Sequence, residues 1–125
     1  MKWQDKYSVN DDLMDKQHQK LFEIVNRLEE HMLSDSALNQ LVQTLEELSD
    51  YAWVHFKAEE IILDELNIKN IVAHKEEHFL FKKKIMDTTQ KFINDKNIEQ
   101  VSELHSFLVH WLQNHILKID MMYKV

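Results

Sequence analysis

From Leu13 onward apolar residues recur at Leu21, Phe22, Val25, Leu28 and Met32. That three-and-four spacing makes one stripe on a helix over about 12–33, preceded by an arm of residues 1–11. Ser34, Asp35 and Ser36 break the pattern, and Ser36 is placed to cap a second helix over about 37–66. Its stripe reads Leu38, Leu41, Val42, Leu45, Leu48, Ala52, His55, Glu59 and Ile62 or Leu63, so two polar residues occupy core positions. A turn near Asn67 to Asn70, built on the residue that best replaces glycine in left-handed backbone, leads to a third helix over about 70–93. There the stripe is Ile71, His74, His78, Phe81, Ile85, Thr88 and Phe92. The segment 94–97 is the last break, with Asn97 as a cap and Gln100 three residues on. A fourth helix, about 97–119, carries Val101, Leu104, Leu108, Leu112, His115 and Ile119.

Four amphipathic helices joined by short connections predict an all-α, antiparallel up-down-up-down four-helix bundle, one domain over 1–125. Composition agrees: glycine, proline and cysteine are absent, and the chain is 44% hydrophobic and 30% charged. The lack of cysteine also excludes disulfides, thiolate zinc sites, cysteine-held iron-sulfur clusters and a cysteine nucleophile. Any metal has to use nitrogen and oxygen ligands.

Antiparallel packing gives the polar stripe positions a common height. His18 lies near the start of the first helix, His55 and Glu59 near the end of the second, His74 and His78 near the start of the third, and His115 near the end of the fourth. All six come to one end of the bundle. Each histidine taken singly reads equally well as a hydrogen-bonded core residue; their convergence is what marks a site. Residues four apart share a helix face, so His55 with Glu59 and His74 with His78 form chelating pairs. Buried without partners, such groups would cost about 1–3 kcal/mol each, and coordination removes that cost.

A formal charge of −7 supplies no basic stripe for nucleic acid or an anionic membrane. Residues 1–10 lack the apolar centre of a signal peptide, and no later run is long enough to span a bilayer, so a cytoplasmic protein is expected.

The chain resembles the hemerythrin family over nearly its whole length. The resemblance rests on Trp3 and Tyr7, Asp15-Lys16-Gln17-His18 with Leu21-Phe22, His55-Phe56 with Glu59, and His74 with His78. It continues through Trp111-Leu112-Gln113-Asn114-His115-Ile116 and Asp120. It implies two iron ions, oxo- or hydroxo-bridged, with His74, His78 and His115 on one, His18 and His55 on the other, and Glu59 and Asp120 bridging. Asp120 could not be chosen by periodicity, since five residues turn a helix about 140 degrees away from His115. If both irons are six-coordinate, the two-histidine iron keeps one position open, where dioxygen can bind reversibly. The resemblance also maps an apolar dioxygen pocket onto Phe56, Trp111, Leu112 and Ile116. Where the family commonly has glycine after Tyr-x-Val, this chain has Asn10.

His31 lies about 220 degrees round the helix from His18 and is assigned to the surface. His105 and His110 fall off the His115 face, and Lys82, Lys83 and Lys84 read as a solvated face implying no partner. The expected function is oxygen carriage, storage or delivery by a monomer that is not an enzyme. The alternatives are oxygen, nitric oxide or redox sensing, iron handling, and peroxidase-like turnover at the same iron pair.

Overall fold

The computed structural model describes residues 1–34, 38–67, 69, 71–118 and 121. Four helices account for most of them: α1 Asp12–Leu33, α2 Leu38–Glu65, α3 Ile71–Asp95 and α4 Ile98–Lys118. Successive helices pack on one another and α1 closes the ring against α4, so the chain forms a four-helix bundle. No strand occurs among the described residues.

The stripes point inward as their spacing requires. Val25 and Leu28 of α1, Leu45 and Leu48 of α2, Phe81 and Ile85 of α3, and Leu104 and Leu108 of α4 are all fully buried in one cluster. A smaller cluster joins Val9 of the arm to Met14 of α1 and Leu63 of α2.

The ends show how a chain without glycine turns. Asn10, Asn67 and Lys96 all have left-handed backbone, with φ of 57°, 53° and 55°. Asn10 thus adopts the turn that glycine commonly provides there, and Asn67 makes the turn expected of it. Lys96 was not foreseen: α3 runs two residues past the expected end at 93, and Lys96 reverses the chain in place of the 94–97 asparagines. Asn97 caps α4 by accepting from the Glu99 backbone N–H at 3.0 Å, while the Gln100 side chain turns to Asp95 instead of reaching back. Ser36 and Asn70 lie outside the described residues.

The arm is fastened to α1 at several points, one of them the Asn26 amide donating to Met1 O at 2.6 Å. Trp3 and Tyr7 pack edge-on to Phe22, with ring centroids at 5.5 and 5.1 Å. Asp15 accepts from the Ser8 hydroxyl at 2.5 Å and from the Val9 N–H at 2.8 Å, while Asp11 caps α1 at Met14. One turn beyond Asp15, α1 presents His18.

Candidate metal centre

All four helices contribute to one buried polar layer. His18, His55, Glu59, His74, His78 and His115 are each between 0% and 4% exposed. Glu59 is its centre. Its Oε2 faces the Nε2 atoms of His55 and His18, at 3.0 and 3.4 Å. Its Oε1 faces those of His74, His78 and His115, at 2.9, 3.0 and 3.6 Å. The donors therefore fall into two groups that share the carboxylate, His18–His55–Glu59 and Glu59–His74–His78–His115, with donor atoms in each within 4.8 Å of one another.

The outer ring nitrogens decide what these contacts are. His55 Nδ1 donates to Gln17 Oε1 at 2.6 Å, and His78 Nδ1 donates to Glu60 Oε2 at 3.0 Å. A neutral imidazole that donates from Nδ1 turns a lone pair outward at Nε2. In both rings Nε2 lies 3.0 Å from a carboxylate oxygen of Glu59, so that contact needs either a second proton on the imidazole or a cation between the two. Nε2 of His78 also lies 3.1 Å from Nε2 of His115.

Burial pushes the Glu59 carboxyl up, but hydrogen bonding to His115, His18, His55 and His74 outweighs it and holds the group well below the usual carboxylate range. Glu59 is thus an anion among imidazoles. Protonating every ring would crowd positive charge into a dry pocket; a cation shared by lone pairs and carboxylate satisfies the same contacts. The donor set fits a nitrogen- and oxygen-ligated metal.

Aromatic rings brace the layer. Phe56 stacks on His78 with centroids 4.0 Å apart and planes 2° from parallel, and Trp111 stacks on His115 at 4.2 Å and 11°. Trp111 in turn packs on Phe81 at 4.3 Å. Of the residues expected to form an apolar pocket, Phe56, Leu112 and Ile116 are buried in the core and Trp111 is half-buried. Asp120 lies outside the described residues.

Sequence reading left the outer partners unassigned. Gln17 precedes a candidate ligand and Glu60 follows one, so each is turned about 100 degrees off the stripe. Glu60 is nonetheless only 6% exposed, held between His78 and Lys57, whose ammonium is 3.4 Å from Oε1. Glu77 approaches Nδ1 of His115 at 3.8 Å. Two buried acids in succession in α2 were the available signal.

The remaining histidines stand apart from the layer. His31, expected at the surface, is instead half-buried, its Nδ1 3.0 Å from the Thr44 hydroxyl, because α2 packs over that face of α1. His105 is largely buried against Glu29 at 3.2 Å, and His110 is exposed. Lys83 and Lys84 are exposed as expected, whereas Lys82 lies over the Trp53 ring at 4.2 Å.

Residues 9–124 match the description of the hemerythrin HHE cation-binding domain. A bacteriohemerythrin of Clostridium acetobutylicum is 32% identical over 124 residues, covering 97% of this chain and 96% of that one. A hemerythrin-like protein of Naegleria gruberi is 34% identical over 122 residues, covering 98% and 89%. Among solved structures, a wild-type hemerythrin superposes with a TM-score of 0.86 at 29% identity, covering 99% of this chain and 95% of that one.

Proposed function

Since the chain belongs to the hemerythrin family, we propose that it holds two iron ions and binds dioxygen reversibly, as a carrier, store or local supply of oxygen in the cytoplasm. The observation that carries this reading is the buried layer in which one carboxylate is shared by two groups of imidazoles, His18 and His55 at one oxygen of Glu59 and His74, His78 and His115 at the other. His74, His78 and His115 would hold one ion and His18 and His55 the other, with Glu59 and, by family resemblance, Asp120 shared between them.

The two halves are unequal by one imidazole, which leaves the two-histidine half room for an exogenous ligand. Ferrous iron held there supplies the electrons by which dioxygen is bound. The side chains set the conditions for release. Five neutral imidazoles favour the ferrous state over the higher states that carboxylate-rich sites stabilise. Phe56, Leu112 and Ile116 keep water from the layer, and Trp111 covers its edge. Glu60 and Glu77 approach the rings from the side away from Glu59, so neither is placed to pass a proton to a ligand held between the histidines. That arrangement supports binding over turnover.

The test is a visible spectrum of iron-quantified protein, reduced without air, exposed to oxygen and returned to an oxygen-free atmosphere. Two irons per chain and a charge-transfer band that comes and goes are expected. Prompt irreversible oxidation would transfer the site to the sensor or enzyme reading, and a chain that takes up no iron would overturn the metal centre.

A further inference from the structure

Helix α3 has a second apolar row. Val72, Phe79, Met86 and Ile93, seven residues apart, are 77%, 56%, 54% and 42% exposed. They lie off the inward stripe of His78, Phe81, Ile85 and Phe92. A straight row of large apolar side chains on an otherwise solvated helix is the mark of a surface that something covers.

Phe79, Met86 and Ile93 of this row border two hollows between α3 and α2. One hollow of about 380 Å³ is bordered by Trp53, Phe79 and Met86, and a second of about 320 Å³ by Leu45, Met86 and Ile93. Met86 borders both and so lies at the middle of the pair. The two ends differ in charge. At the Phe79 end, the Lys57 and Lys82 ammonium groups sit over the Trp53 ring at 4.3 and 4.2 Å, and Lys83 borders the hollow. At the Ile93 end the border carries Glu46 and Asp50, both exposed. Lys57 and Lys83 are paired within the chain to Glu60 and Asp87. Lys82, Glu46 and Asp50 have no oppositely charged partner among the described residues.

An occupant of this face needs an apolar row of matching spacing, with acid opposite Lys82 and base opposite Glu46 and Asp50. The same face turned end for end meets every requirement: Met86 opposes itself, Phe79 opposes Ile93, and the basic end of each copy lies on the acidic end of the other. We propose that the chain forms an isologous dimer through this α2–α3 face, with the two-fold axis passing by Met86. The proposed dimer departs from the monomer expected from sequence. A parallel arrangement would set like charge on like, and a uniformly acidic partner would clash with Glu46 and Asp50. The inference is independent of the metal centre.

Sedimentation velocity of the iron-loaded chain, at concentrations up to about 0.5 mM in low salt, is the test. A dimer is expected whose dissociation constant rises roughly tenfold or more in Lys82→Glu and in Asp50→Lys, each of which places like charges together twice. Mixing those two variants should restore association, because each then presents the charge that the other lacks. Met86→Glu, which brings two carboxylates face to face, should leave monomer with unchanged helicity and iron content. A wild type that stays monomeric, a dimer indifferent to Met86→Glu, or variants that do not re-associate on mixing would overturn the proposal.

Discussion

The two ends of the bundle are equally buried and opposite in chemistry. At one end Val25, Leu28, Leu45, Leu48, Leu104 and Leu108 fill the space between the helices; at the other, the same helices direct five imidazoles and a carboxylate inward. At the apolar end the Thr44 hydroxyl donates to Gln40 O one turn back at 3.0 Å and meets one imidazole, His31 of α1. At the polar end partners come from other helices, as in Gln17 with His55 and Glu60 with His78. Burial therefore does not tell the ends apart. One end is complete in itself, whereas the other gathers a donor set that fits a cation.

The sharpest separation of the two ends is Leu45→Ala. Leu45 is fully buried, so truncation is expected to cost about 2–5 kcal/mol in urea unfolding while leaving metal stoichiometry at two. If metal uptake were lost in protein that is still folded, the division of labour would be wrong.

At the polar end, Glu60→Gln keeps shape and removes the charge behind His78. Metal affinity should fall by about 10–100-fold, with little change in the unfolding of the metal-free chain. Competition with a coloured chelator reads the first quantity and urea unfolding the second. An unaltered affinity would reduce Glu60 to a packing residue.

Lys96→Gly, back at the apolar end, removes a side chain from a left-handed position and should raise stability by about 1 kcal/mol without touching the metal. Thermal unfolding of the two proteins would measure it, and no gain would mean that the Lys96 backbone is unstrained.

The smallest effect concerns pH. Burial pushes the His105 imidazole down, more than Glu29 draws it up. Since its folded value lies below the unfolded one near 6.5, protonation works against the fold, and stability should decline as pH falls through about 6.5 toward the folded value. His105→Gln should flatten that decline in urea unfolding at pH 7.5 and 5.5; an identical slope in both proteins would assign it elsewhere.

Much of this was legible along the chain. Periodicity located four helices because each buries one stripe, and His55, Glu59, His74, His78 and His115 stood out because polar residues on an apolar stripe demand partners. Family resemblance carried the assignments that spacing could not, Asp120 above all. Tertiary structure decided the rest. It turned Glu60 inward although it lies off the stripe, half-buried His31 under α2, and seated Lys82 on Trp53. It also set Glu59 where one oxygen meets two imidazoles and the other meets three. The reason is physical: periodicity reports which face of a helix is buried, whereas a hydrogen bond or a shared ligand depends on which residues of other helices reach that face at the same height.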